Sequence, residues 1–396
     1  LAMGPWDREV FSAGLYRVAS RVPSFQDFQR DAARRKIVFY RDGTDVTVAV
    51  VDTEAERALV INGKADASTV GDLPTQKLLG HLPMLVHARP ENVLVVGIGS
   101  GATIGSVLTY DVKRVDAVEI SEDVIEASRL FDGINGRYWE DPRVRVHWED
   151  AKTFLQITGR KYDAIISEPS NPWMAGIAGV FSREFYETCR GRLAPGGVFV
   201  QWLHAYDMDD ATFFMMVETF RGSFPHWTLW NSEGGGVIFI GSAEPYGPDF
   251  ARMEERLQRP GVRDDLKSFG AQSLASILSL QMADFASGLS PAGWSDTVHS
   301  DFHPVLDYEA PKAFFLKARA NGLQWIDERA DSPPNARIWL ADYLEGGRSL
   351  SREELRQCHE YSAARRGFFS RQSLCWAQEW SLRHPSDVSA QFAYGQ

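Results

Sequence analysis

The strongest hydrophobic pattern in the chain lies between Val93 and Ile120. An apolar run, Val93–Val96, leads into Gly97, Gly99 and Gly101. Helical spacing follows to about Tyr110, and a second apolar run, Val115–Ile120, carries Glu119 near its end. Strand, glycine turn, helix and strand, with an acid about 20 residues past the turn, is the order of a nucleotide-binding βαβ unit. The alternation continues downstream. Apolar runs predict strands over 93–97, 115–120, 144–147, 163–167 and 197–201. Helical spacing predicts helices over 101–109, 123–130, 151–157, 182–190 and 209–220. Such alternation specifies a parallel, doubly wound sheet. Two further runs, 228–230 and 237–241, are joined by a loop too short for a crossover helix, so they must pair antiparallel. The fold class is therefore α/β, a seven-stranded Rossmann-like sheet of the methyltransferase type. That ending argues against a dinucleotide dehydrogenase, although Gly97-x-Gly99-x-x-Ala102 fits the NAD fingerprint.

Residues 25–36 read as a polar helix or irregular lead-in. Short β-rich runs at 37–40, 46–51 and 58–61 follow, the first two joined by Asp42-Gly43, and Asn62-Gly63 is expected to close this small β unit. Residues 75–86 read as a helix that tolerates Pro83. Beyond the sheet, 250–285 read as helical, 288–304 as a long loop rich in Ser, Gly, Pro and His, and 335–396 as Arg- and Trp-rich helices. The expected organisation is a β unit with a connecting helix (1–90), the nucleoside-binding domain (91–245), helices and a loop covering the site (246–320), and a helical tail (321–396).

Composition narrows the picture modestly. Hydrophobic residues at 44% and charged residues at 24% are ordinary for a soluble globular chain of 396 residues. A net charge of −11 disfavours nucleic acid and anionic lipid and suits a cationic substrate. Cys189, Cys358 and Cys375 form no CxxC pair, so a reducing compartment, the cytoplasm, is expected rather than a disulfide framework or zinc ribbon. The His299–His303 stretch lacks ligand spacing, and no metal is expected. No apolar run reaches the roughly 18 residues of a membrane span, and no signal peptide is visible. The opening Leu1-Ala2-Met3-Gly4 reads as a remnant, so an upstream segment is expected.

In open α/β sheets ligands bind at the carboxyl ends of the strands. Those ends carry Gly97–Gly101, then Glu119, then Asp150 with Ala151, then Glu168 to Trp173, then Gln201, His204, Tyr206 and Asp207. A nucleoside lying across the first three would place its ribose on Glu119 and an adenine amine on Asp150. Asp150 also reads as the N-cap of 151–157, and one residue can serve both. Glu168 is placed to orient an attacking amine and take its proton, or else to pair with an arginine. Asn171-Pro172-Trp173 sets an amide and a carbonyl beside an aromatic face, which suits an amine. Tyr206 joins the catalytic candidates, and Trp173, His204 and Asp207 the substrate side, against a packing role for these rings. His81 reads as structural.

Seven stretches together resemble one family. They are INGKADAS, TQKLLGHLPML, GIGSGAT, VEIS, Asp150-Ala151, YDAIISEPSNPW and LAPGGVFVQW. Over about 37–245 the chain resembles the spermidine/spermine synthases, the polyamine aminopropyltransferases, and most of all the bacterial branch often fused behind a membrane-transporter-like segment. The resemblance implies transfer of an aminopropyl group to a small cationic amine, with S-adenosylmethionine or decarboxylated S-adenosylmethionine as the donor, and a homodimer. It matches Glu119 to the ribose-binding acid, Asp150 to the adenine-side acid, Glu168 to the catalytic acid and Asn171 to a second acid. Gln76 matches a residue lining the donor and acceptor region. Three positions depart from the family: Thr75 stands for a tyrosine, Asn171 for an acid and Ser100 for an aspartate. Ser100, unlike an aspartate, would not repel the carboxylate of intact S-adenosylmethionine. The alternatives are methyl transfer from S-adenosylmethionine to a small amine, or a non-catalytic S-adenosylmethionine-binding module.

Overall fold

Two sheets and the helix between them position the site. The computed structural model describes residues 7–19, 22–44, 46–169, 171–174, 176–284, 297–320, 338–345, 348–364 and 370–395. Most of the loop expected over 288–304 lies outside the described residues, as do 321–337, 346–347 and 365–369 of the expected tail, and Ser170.

The first sheet is an antiparallel meander of four strands, β1 (Lys36–Asp42), β2 (Thr47–Asp52), β3 (Arg57–Ile61) and β4 (Lys64–Ser68). Asn62-Gly63 does not close this unit, as the sequence pattern suggested. Asn62 (φ 49°) and Gly63 (φ 79°) form the tight turn into β4, and positive φ at both central residues matches the right-handed twist of a hairpin.

Next comes a helix, Leu73–Val86, two residues longer at its start than expected. Pro74 occupies its first turn, where a missing N–H costs nothing. Its last carbonyls are capped from a distance. The buried Arg256 guanidinium donates to Met84 O, His87 O (2.7 Å) and Ala88 O (2.7 Å).

The second sheet has eight strands, in the order Gln281–Asp284, His226–Asn231, Gly236–Ser242, Leu193–His204, Tyr162–Ser167, Asn92–Val96, Arg114–Glu119 and Val144–Trp148. β5 (Asn92–Val96), β6 (Arg114–Glu119), β7 (Val144–Trp148), β8 (Tyr162–Ser167) and β9 (Leu193–His204) run parallel. β11 (Gly236–Ser242) pairs antiparallel with β9 and with β10 (His226–Asn231), as the short connection required. The eighth strand corrects an expectation. Residues 250–285 are helical only in part and end in β12 (Gln281–Asp284), which adds antiparallel to β10.

Alternation along the strands divides the core. Val93 and Val95 face the Leu73–Val86 helix and the C-terminal helices, whereas Leu94 and Val96 face the helices Arg183–Arg192 and Asp210–Ser223. On the second face Phe199 and Phe224 stack with centroids 5.0 Å apart, and Tyr186 meets Phe220 edge-on at 5.5 Å. On the first face Trp339 packs edge-on to Trp230 at 5.4 Å, which ties the tail into the core.

One polar cluster fastens the helices beyond the sheet to the Leu73–Val86 helix. Asp265 accepts from Lys77 and Ser106 Oγ (2.6 Å) and pairs with His81 Nε2 at 2.8 Å, while His81 Nδ1 lies 2.9 Å from Tyr110 OH. His81 is thus structural, in agreement with its reading from the sequence.

Candidate functional site

The parallel strands diverge between β5 and β8, the switch point where open α/β sheets bind ligands. A cleft of about 570 Å³ opens there, between the carboxyl ends of the large sheet and the hairpin β3–β4. Of the expected site residues, Gln76, Gly97, Gly99, Glu119, Asp150, Ala151, Glu168 and Tyr206 line it.

The glycine turn divides its work. Gly97 (φ +85°) is required by the protein itself, because a Cβ there would sit 2.6 Å from the Glu168 carbonyl oxygen. Gly101 (φ +79°) is likewise required by the Tyr138 ring, 2.5 Å from where a Cβ would be. Gly99 also lines the cleft, and there the nearest atom to an added Cβ would be Ala67 Cβ at 3.9 Å, so within the turn it is Gly99 whose backbone has open space for a ligand.

Glu119 ends β6 with its carboxylate fixed from below. Oε2 accepts from Ile98 N–H (2.9 Å) and Oε1 from Ser121 N–H (3.0 Å). A carboxylate has about four acceptor positions, so each oxygen keeps capacity toward the cleft. Burial raises its pKa, and the backbone donors of Ile98, Ser121 and Ile120 oppose that rise. Asp150 N-caps the helix Ala151–Ile157, accepting from Thr153 N–H at 2.8 Å through Oδ1, and it also lines the cleft. Cap and cleft wall coincide in one residue.

Glu168 follows β8 directly, partly buried, with its backbone N–H donating to Val96 O at 3.0 Å. Its Oε2 lies 2.6 Å from Thr103 Oγ1, which is also 2.9 Å from Gln76 O. Burial pushes the Glu168 pKa up to about 7; the Thr103 hydroxyl opposes this, and the charge of Asp72 adds to it. A carboxyl poised near neutrality beside a cleft is suited to moving a proton.

The remaining expected residues do not line the cleft. Ser100 is 1% exposed and donates to Gln76 Oε1 at 2.7 Å, so its side chain orients Gln76 rather than meeting the cleft. Asn171 is fully buried with neither amide atom paired. His204 is fully buried with both ring nitrogens unpaired, boxed by Trp173 (4.7 Å, edge-on), Tyr206 (4.7 Å) and Trp202 (5.5 Å, stacked). Trp173 stacks on Phe314 of the helix Val305–Phe315 at 5.0 Å. Asp207, held at φ 52°, pairs with Arg17 at 3.4 Å.

Five residues on or against the wall were not read from the sequence: Arg17, Lys64, Asp66, Asp72 and Thr103. Only Asp72 carried a local signal, an acid just before a helix that starts Leu-Pro. Lys64 and Asp66 lie within the INGKADAS stretch and pair with each other, but as polar residues gave no sign of a site, and Arg17 and Thr103 depend on contacts between distant segments. Among the described residues no group of three His, Cys, Asp or Glu could hold a metal ion, and no helix is long and apolar enough to cross a membrane.

Comparison with known proteins agrees with the motifs. The family profile of the spermine/spermidine synthase domain matches residues 73–228. The chain is 30% identical over 230 residues to a polyamine aminopropyltransferase of Pyrobaculum calidifontis, covering 54% of this chain and 80% of that protein. It is 31% identical over 220 residues to a spermine synthase of Arabidopsis thaliana, covering 53% of this chain and 61% of that protein. The chain thus spans about three fifths of that second relative. Among solved structures, spermidine synthase from Thermotoga maritima gives a TM-score of 0.48 at 19% identity, covering 59% of this chain and 84% of that one.

Proposed function

The chain belongs to the spermine/spermidine synthase family, and from that premise we propose that it transfers an aminopropyl group from a sulfonium nucleoside to a small amine. The donor in this reading is decarboxylated S-adenosylmethionine, or S-adenosylmethionine itself, in which case the group that moves is the aminopropyl group with its carboxylate still attached. When bound, the sulfonium supplies an activated carbon and a neutral thioether leaving group that needs no acid.

The residues of this chain then do three things. Glu119 and Asp150 grip the adenosine, one at the ribose and one at the base, beside the bare backbone of Gly99. Gln76, held by Ser100 at 2.7 Å, fixes the space between donor and acceptor. Glu168 accepts the proton of the acceptor ammonium, so that a neutral amine faces the reacting carbon, and Tyr206 closes the acceptor side. Residues 91–245 supply the nucleoside half of the site, and the β3–β4 hairpin supplies the other wall. Alignment of reactants supplies most of the rate in such a displacement, with proton transfer adding to it.

The observation that carries the reading is the position of Glu168, next to Gly97 at the switch point, where burial pushes its pKa up to about 7. Glu168→Gln preserves the shape and removes the base. It should lower kcat/KM by roughly 10²–10⁴-fold, while calorimetry finds nucleoside affinity nearly unchanged. Full activity in Glu168→Gln would end the assignment.

A further inference from the structure

The acceptor side of the cleft carries two cations that a simple diamine would not call for. Lys64 lines the wall and is 93% buried, the complement of its 7% exposure. Its ammonium donates to Asp66 and to Ala65 O at 3.1 Å. An ammonium has three donors, so one remains beyond these two bonds. Arg17 lines the same wall from the N-terminal segment. Its Nη2 holds Asp207 at 3.4 Å, and its Nη1 is buried with no partner. A buried guanidinium nitrogen without an acceptor is costly unless a ligand completes it. Tyr206 and His204 both feel the charges of Lys64 and Arg17 together, which places the two cations in one neighbourhood.

The hydrogen bonds of the two acids proposed to hold the adenosine come from backbone, Ile98 and Ser121 for Glu119 and Thr153 for Asp150, and not from either cation. A doubly cationic acceptor would bring a second ammonium toward Lys64 and Arg17. A ligand with a carboxylate would bring the missing acceptor atoms.

We propose that Lys64 and Arg17 form a carboxylate subsite, so that the ligand turned over carries an anionic group beside its reacting centre. The proposal rests on the amine-alkylation reading above. The carboxylate has two possible owners. It belongs to the acceptor, an amino-acid-type amine, or to the donor, intact S-adenosylmethionine. Both present the same chemistry to the two cations.

Calorimetric binding to the full chain separates the owners without requiring turnover. In the acceptor arm, with methylthioadenosine saturating, ornithine is compared with 1,4-diaminobutane, which differs only by the carboxylate. In the donor arm, S-adenosylmethionine is compared with its decarboxylated form in the absence of acceptor. The carboxylated ligand of one arm should bind roughly 10- to 100-fold more tightly, the size of effect a desolvated charge pair gives. That preference should shrink to a few-fold in Lys64→Met. Arg17→Gln, whose side chain is about a quarter exposed, reads the same effect should Lys64→Met fail to fold. The arm that responds names the owner. The proposal is overturned if neither arm prefers the carboxylated ligand, or if the variants weaken both members of a pair equally. A carboxylate preference without any alkyl transfer would sustain this subsite and refute the functional reading instead.

Discussion

Thr103 offers the sharpest probe of the catalytic assignment. Its hydroxyl has one proton and two acceptors within reach, Glu168 Oε2 at 2.6 Å and Gln76 O at 2.9 Å. With Glu168 ionised, the hydroxyl donates to the carboxylate. With Glu168 protonated, the carboxyl donates to Thr103, and the hydroxyl turns to Gln76 O. Thr103→Val removes both arrangements and changes little else in shape. The bond to the ionised form is worth about 1.5–3 kcal/mol and the one to the neutral form about 1 kcal/mol. The difference, at about 1.4 kcal/mol per pKa unit, raises the Glu168 pKa by roughly one unit. The assay is the pH dependence of kcat/KM for release of the product nucleoside. In the native protein the rate should rise tenfold per pH unit below about 7 and level off above it. In Thr103→Val the rising limb should move about one unit to higher pH, with its plateau still reached. A limb that stays in place, or that moves to lower pH, would refute the idea that this hydroxyl stabilises the ionised base.

Three further outcomes follow from the packing. Gly97→Ala would thrust a methyl to within 2.6 Å of Glu168 O at φ +85°, so turnover should fall by about tenfold or more through a displaced base, visible as a kcat loss at retained nucleoside affinity. Arg256→Met would strip the carbonyls of Met84, His87 and Ala88 of their donor and should cost about 1–3 kcal/mol in urea unfolding. Burial holds the His81 pKa below its usual value. Burial opposes ionisation of Asp265, but the bonds from His81 and Lys77 prevail and hold its pKa well below the carboxylate range. Both groups bind more protons unfolded than folded, so stability is full above about pH 6.5 and declines on acidification, first through His81 and then below about pH 4 through Asp265. Unfolding at pH 7, 5.5, 4 and 2.5 should show that decline, and Asp265→Asn should lower stability at pH 7 and remove the component below about pH 4 while the His81 component persists.

The strands of the large sheet were legible because each is an apolar run cut by a glycine or a charge, and the short 231–236 connection dictated the antiparallel hairpin. β4 escaped because Lys64-Ala65-Asp66-Ala67-Ser68 reads as polar, its ion pair being hidden only after folding. β12 escaped because Gln281–Asp284 continues the apolar run of the Leu274–Leu278 helix. Pairing with β10 makes it a strand, and that partner is some fifty residues away. At the site, Glu119, Asp150 and Glu168 could be read because strand ends converge by topology alone. Thr103 and Arg17 could not, since an (i, j) contact across 65 or 190 residues leaves no trace in local spacing. Ser100 and His204 were placed near the right spot, but spacing could not say that their side chains are buried and do not line the cleft.

The central claim is that an amine breaks a carbon–sulfur bond on the propyl side of a sulfonium nucleoside held across β5 and β6. Mass spectrometry of the nucleoside released when the protein is incubated with donor and a panel of small amines tests it most directly. Methylthioadenosine should form in step with an amine that has gained the aminopropyl group, or its carboxylated form from S-adenosylmethionine, and its rate should fall by roughly 10²–10⁴-fold in Glu168→Gln. Adenosylhomocysteine with a methylated amine, or no nucleoside product from any amine despite measurable donor binding, would contradict it.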